Sequence, residues 1–263
     1  MDQIELFNRE CIKNINEQGN DINLKLKTID YLKELDKYKY AYNFTWLGRP
    51  IIQLPQDIYT IQELIWKIKP DLIIETGIAH GGSLIMSASI LALLDYCEGY
   101  SIENSSGRQV IGIDIEIRSH NKKAIEDHVL YPLIQMIEGS SIDYNIIKQV
   151  EEIINERSYY DKEKQIRHPI IMIFLDSNHS HKHVLAELES YAPLVSIGSY
   201  CIVFDTLIDD IQNNNEHRWG INNNPKTAIH EFLLRNNNFE IDKNIENKLL
   251  LTCAPNGFLK RIK

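Results

Sequence analysis

The chain has 263 residues, a hydrophobic fraction of 43%, a charged fraction of 25% and a net charge of −9. That composition is able to bury a core and argues against extended disorder, while the negative balance argues against sequence-independent binding to nucleic acid, whose phosphates call for clustered Lys and Arg. The four scattered cysteines, Cys11, Cys97, Cys201 and Cys253, have neither the close pairing of a zinc site nor the density of a disulfide scaffold and read as reduced thiols.

The first residues carry neither a basic start nor an apolar stretch, so no secretory signal is expected. No apolar run approaches the roughly 18 residues that cross a bilayer, and a cytoplasmic protein without a membrane partner is the expectation. Residues 1–45 are polar and then Tyr-rich. Tyr38, Tyr40 and Tyr42 alternate with Lys39, Ala41 and Asn43, which fits a half-buried strand, with a helix nearly as compatible. This segment reads as an N-terminal extension, either a lid over a site or a contact within a homo-oligomer. Residues 46–263 then read as one domain.

Residues 56–69 place Ile58, Ile61, Leu64, Ile65 and Ile68 at helical spacing before Pro70 ends the pattern. Strands are predicted at 71–75, 109–114, 134–138, 169–176 and 200–205, and helices at 83–96, 142–157, 181–191 and 226–235. Residues 169–176 are apolar on both faces, as a central parallel strand should be. Toward the end, short strands are expected at 239–242 and 249–253, the second forming a hairpin with 258–262 across Pro255 and Gly257. The Asn-rich stretches at 213–215 and 222–224 read as loops. Alternating strands and helices imply an α/β fold, a doubly wound and mostly parallel sheet with an antiparallel C-terminal hairpin.

Chemistry-bearing residues gather at the carboxyl ends of these strands, where open α/β sheets place their ligands. Glu75, Gly77, Gly81 and Gly82 lie between a strand and a helix. Glycines there let the backbone approach a ligand closely, and the helix start offers free N–H groups. A tight turn with no ligand is the plain alternative, and the spacing is not that of a dinucleotide fingerprint. Asp114 ends the next strand and could accept hydrogen bonds from ribose hydroxyls, cap a helix or pair with Arg118. Asp176 and His179 leave one strand end three residues apart, so one could hold a hard cation while the other takes a proton. His181 and His183 could instead simply begin an exposed helix. Asp205 falls on the same sheet edge and could share a divalent ion with Asp176, with Asn178, Asp209 and Asp210 as candidates for a further ligand.

With these residues in view, the chain resembles the cephalosporin hydroxylase and rhamnosyl O-methyltransferase family of class I, Rossmann-like methyltransferases. The resemblance is carried by Trp46-Leu-Gly-Arg-Pro-Ile-Ile-Gln53, Asp71-Leu-Ile-Ile-Glu-Thr-Gly-Ile-Ala-His-Gly-Gly-Ser83, Gly112-Ile-Asp-Ile-Glu-Ile-Arg118, the stretch from Leu175-Asp-Ser-Asn-His179 through Leu188, Val203-Phe-Asp-Thr206 and Asn223-Asn-Pro-Lys-Thr-Ala228. It implies an S-adenosyl-L-methionine site formed by Glu75, Gly77, His80, Gly81, Ser83, Asp114 and Asp176, with adenine near residues 139–141, Ser140 among them. It also implies a magnesium ion on Asp176 and Asp205, with His179 as the catalytic base. Some related enzymes have Glu just before the second Asp, where this chain has Phe204. The expected reaction is O-methyl transfer to a hydroxyl of a saccharide or related small molecule. Trp219, Arg218, Tyr38, Tyr42 and Trp46 are candidates for an acceptor wall, each equally explicable as packing. A nicotinamide oxidoreductase and a noncatalytic nucleoside-binding scaffold are the competing classes.

Overall fold

A computed structural model of the chain describes residues 2–101, 106–160, 166–211, 219–220 and 222–263. It opens with α1 (Gln3–Asn20) and α2 (Ile22–Asp36), which meet at Asp21, whose side chain accepts from the amide of Leu24 and caps α2. The Tyr-rich segment is a single 3-10 turn at Tyr40–Asn43, entered through Lys39 at φ 49°, and no strand forms there. A left-handed residue at that point breaks the extended path that alternation alone suggested.

Strands β1 (Phe44–Trp46) and β2 (Arg49–Ile51) make an antiparallel ribbon. Its two connecting residues, Leu47 and Gly48, both have positive φ, the twist a two-residue hairpin requires. Helix α3 (Pro55–Ile68) begins with proline and ends at Lys69 in the left-handed region, just before Pro70.

The Rossmann-like unit follows as β3 (Leu72–Thr76), α4 (Gly82–Cys97), β4 (Gln109–Asp114), α5 (Ser119–Glu126), β5 (Ile134–Glu138) and α6 (Tyr144–Glu156). A short ribbon, β6 (Tyr159–Tyr160) with β7 (Ile166–Arg167), leads to β8 (Ile171–Leu175), α7 (His181–Tyr191) and β9 (Tyr200–Val203). The chain closes with α8 (Ile208–Ile211), α9 (Pro225–Arg235), β10 (Phe239–Ile241), α10 (Lys243–Leu249) and β11 (Phe258–Arg261).

Seven strands form one sheet in the order β10-β11-β9-β8-β3-β4-β5. From β5 to β9 the strands run parallel, while β11 pairs antiparallel with β9 and β10 antiparallel with β11. The chain winds outward from β3 to β5 and then returns to lay β8 on the other side of β3. That reversal is a topological switch point, so a crevice opens at the carboxyl ends of β3 and β8.

Alternation along the strands serves two cores. Ile73, Met172 and Phe174 face α3 and α4, while Leu72, Ile74, Ile171 and Ile173 face α6, α7 and α9. Each fully buried aliphatic or aromatic side chain of this kind stabilises the fold by about 1.5–3 kcal/mol. Phe204 belongs to the first core and meets Phe174 edge to face at 6.1 Å. It is therefore packing, turned away from ligand chemistry.

The predicted C-terminal hairpin is present with different partners. β11 pairs with β10, and residues 249–253 form no strand. Asp242 caps α10 by accepting from Asn244 and Ile245, carrying the chain into a helix up to Leu249. The amide of Cys253 and the hydroxyl of Thr252 are then taken by the buried carboxylate of Asp57, at 2.9 and 2.5 Å. The Cys253 amide is thereby lost to any ladder.

Candidate active site

The turn after β3 is held from several sides. The amide of Gly77 donates to the carbonyl of Ile113 at 2.8 Å, and Gly77 has φ 91°. A Cβ added at Gly77 would lie 2.1 Å from the carbonyl oxygen of Asp176, so only glycine lets the turn close against β8. Asp114 accepts from the amides of Ile78 (2.8 Å) and Ala79 (3.2 Å) through Oδ2 and from Glu116 (3.2 Å) through Oδ1. It neither caps a helix nor pairs with Arg118. Its carboxylate shapes the glycine turn from the next strand.

Two residues outside the sequence-based candidates complete this clasp. Arg49 of β2 donates to the carbonyl of His80 from Nε and Nη2, at 3.0 and 2.6 Å. Asn121 of α5 donates to the carbonyl of Ala79 at 2.9 Å and accepts from Arg49 at 3.1 Å. Gly81, at φ 80°, then opens α4.

Beneath the turn, Glu75 is 2% exposed and accepts from the hydroxyl of Ser83 through Oε1. Its Oε2 has no hydrogen-bond partner. Burial pushes this carboxyl up to about 8, with the Ser83 hydrogen bond acting in the opposite direction.

Asp176 follows β8 directly, and Asp205 follows β9 at φ 55°. The Nε2 of His179 lies 3.0 Å from Asp205 Oδ2. One ligand atom from each of Asp176, His179 and Asp205 falls within 4.8 Å of the others. Burial, followed by the negative charges of Asp205, Glu75 and Glu187, holds the Asp176 carboxyl well above the usual carboxylate range. Trp219 meets the His179 ring edge to face at 4.8 Å.

The other ligand candidates are engaged elsewhere. Asn178 Oδ1 accepts from the amide of Ser180, Asp209 from Asn224, and Asp210 pairs with Lys226 at 2.7 Å. His181 and His183 are half-buried, contrary to an exposed helix start. His181 bonds Thr227 and Glu231, and His183 sits beside Ser141, Ser177 and Glu187.

A cleft of about 710 Å³ joins these groups. Gly77, His80, Ser83, Asp176, His179 and Asp205 line its floor, with Glu75 beneath. Asp114 ends β4 and Ser140 follows β5, both outside the cleft lining. Leu32, Leu35, Tyr40 and Tyr42 line it from the N-terminal segment, and Leu207, Ile208, Ile211 and Trp219 from the region after β9. Of the acceptor-wall candidates, Tyr42 and Trp219 reach the cleft. Trp46 instead packs against the core with its Nε1 donating to Ser89, Tyr38 points to solvent, and Arg218 lies outside the described residues.

Comparison with known proteins agrees with this architecture. A model of the family described as Rhamnosyl O-methyltransferase/CmcI matches residues 38–262. The rhamnosyl O-methyltransferase of Mycobacterium leprae is 31% identical over 239 residues, covering 87% of this chain and 90% of that protein. That of Mycobacterium tuberculosis is 30% identical over 218 residues, covering 82% and 78%. Among solved structures, CmcI with Mg and SAM superposes with a TM-score of 0.54 at 17% identity, covering 84% of this chain and 78% of that one. Apo CmcI gives 0.55 at 18%, covering 87% and 84%, and at these identities the likeness concerns the fold. The chain belongs to the rhamnosyl O-methyltransferase/CmcI family of class I S-adenosylmethionine-dependent methyltransferases.

Proposed function

We propose that this methyltransferase moves the methyl group of S-adenosylmethionine to a sugar hydroxyl, a rhamnosyl group being the first acceptor to test, with His179 as base and magnesium held by Asp176 and Asp205. The observation that carries this is the Asp176, His179 and Asp205 cluster on adjacent strand ends, beside the glycine turn and within one cleft. Residues 1–45 act as a lid and residues 46–263 as the catalytic domain, a reading supported by Leu32, Leu35, Tyr40 and Tyr42 on the cleft wall.

The residues present fit both groups. The buried Oε2 of Glu75 lacks a partner beside the turn, and the ammonium of the donor's amino-acid end is the charge such an oxygen would favour. Two carboxylates from neighbouring strands form a hard oxygen set, and the like charges that crowd Asp176 are relieved by a divalent cation. The cleft falls within the roughly 300–1,000 Å³ range of small-molecule sites. When bound, the donor supplies an electrophilic sulfonium methyl, and magnesium supplies positive charge beside the acceptor oxygen.

The protein's own groups do the rest. Asp205 accepts from His179 Nε2–H, which leaves Nδ1 as the basic nitrogen and fixes the ring. Trp219 restrains the same ring from its edge. His179 takes the proton of the acceptor hydroxyl at Nδ1, a base contribution of about 10²–10⁴-fold. Leu32, Leu35, Ile208 and Ile211 exclude water around the acceptor.

Incubation with methyl-labelled S-adenosylmethionine, magnesium and a panel of rhamnosides, other glycosides and non-sugar alcohols tests the assignment. Label on a sugar oxygen is expected. Label confined to non-sugar acceptors, or to nitrogen, contradicts it.

A further inference from the structure

Helix α7 carries a polar stripe that the methyl-transfer chemistry leaves unexplained. His183, Glu187 and Tyr191 are four residues apart and so share one face, among the apolar Val184 and Leu188 that serve the core. Glu187 is wholly buried. Its Oε1 accepts from the hydroxyls of Ser141 (2.6 Å) and Ser177 (2.7 Å), while its Oε2 has no partner. His183 Nε2 lies 3.1 and 3.2 Å from the same two hydroxyls, and the Tyr191 hydroxyl donates to the carbonyl of Ser141 at 2.7 Å.

Packing a helix on a sheet needs only apolar groups at such positions, and a buried carboxylate costs free energy unless its contacts serve a purpose. The two hydroxyls come from different strand ends. Ser141 adjoins Ser140 after β5, on the side that the family resemblance assigns to the donor's adenine, and Ser177 directly follows Asp176 after β8. The Asp176 backbone is itself fixed by donating to the carbonyl of Thr76 at 2.9 Å. A single carboxylate oxygen thus joins the loop after β5 to the peptide that presents Asp176 to the cleft.

We propose that Glu187 is a positioning residue that couples donor binding to magnesium binding, by tying Ser141 and Ser177 to one oxygen. Order imposed at residues 139–141 by the donor is passed to the peptide that presents Asp176, and the reverse holds for the metal. This rests on the reading of Ser140 as donor-side and Asp176 as a metal ligand.

The test is calorimetric titration of the full chain with S-adenosylhomocysteine, with and without magnesium, which reads the coupling directly and needs no acceptor. Magnesium is expected to tighten binding by about fivefold or more in the wild type, the lower end of ordinary coupling between sites. In Glu187→Ala the factor is expected to fall to within about twofold with S-adenosylhomocysteine still bound, and in Glu187→Gln, which keeps an accepting Oε1, to be retained. Ser177→Ala removes one hydroxyl at little risk to folding and is expected to lose the coupling as well. Wild-type coupling in Ser177→Ala or in folded Glu187→Ala overturns the proposal, as does a wild type that binds both ligands without coupling. Absence of S-adenosylhomocysteine binding in the wild type under both conditions removes the donor assignment beneath it.

Discussion

His179 is held by Asp205 at one ring nitrogen and by Trp219 at its edge, so its orientation is set before an acceptor arrives. His179→Ala is expected to lower kcat by about 10²–10⁴-fold, the span of a general base. Affinity for S-adenosylhomocysteine should stay near wild type, and turnover close to wild type would contradict the base role. Asp114, Asp176 and Asp205 were legible in the sequence because each ends a predicted strand, where parallel sheets place their ligands. Arg49, Asn121 and Glu187 were not. Their partners lie 31, 42 and 46 residues away, and no local pattern announces a bond that only the sheet order creates. A further metal ligand stayed open in the sequence among Asn178, Asp209 and Asp210, because their engagement with Ser180, Asn224 and Lys226 is set by how the following segments fold back.

At the scale of elements, β4, β5 and α7 fall on their predicted boundaries because apolar runs and periodicity change there together. β9 ends two residues early, since Asp205 adopts a positive φ that a strand does not. α10 was missed because its boundary depends on the Asp242 cap. That carboxylate also accepts from the hydroxyl of Tyr200 at 2.8 Å. Asp242→Ala is expected to cost about 1–2 kcal/mol of stability in denaturant unfolding, and an unchanged midpoint would show that the cap contributes nothing. The N-terminal helices were obscure for another reason: α1 is largely polar and exposed, so few of its residues report a buried face. α2 and the turn after it nevertheless line the cleft. A Leu35→Ala, Tyr42→Ala double variant should raise the acceptor KM while leaving S-adenosylhomocysteine affinity unchanged. The opposite split would place this segment on the donor side.

Across the whole molecule, burial acts on acids in different places: Asp176 lines the cleft, Glu75 lies beneath it, and Asp57 is bonded to Thr252 and Cys253. Burial raises Asp57 to about 6 and Glu75 to about 8, and raises Asp176 as well. A carboxyl whose folded value exceeds its unfolded one binds more protons in the folded state, so stability falls as pH rises through that interval. For Asp57 the interval runs from 3.8 to about 6, and for Glu75 from 4.5 to about 8. Thermal unfolding of the metal-free protein should therefore show a midpoint that declines toward pH 8. Glu75→Gln should flatten the upper part of that decline, whereas a profile identical to wild type would place the effect elsewhere. Magnesium should restore stability at the alkaline end, because a ligand bound only by the folded state stabilises it.

All of this depends on a donor pocket at the Glu75 to Ser83 turn. Calorimetric titration of the wild-type chain with S-adenosylhomocysteine, with and without magnesium, measures that pocket directly. The prediction is saturable binding at one site per chain, and no binding under either condition would contradict it.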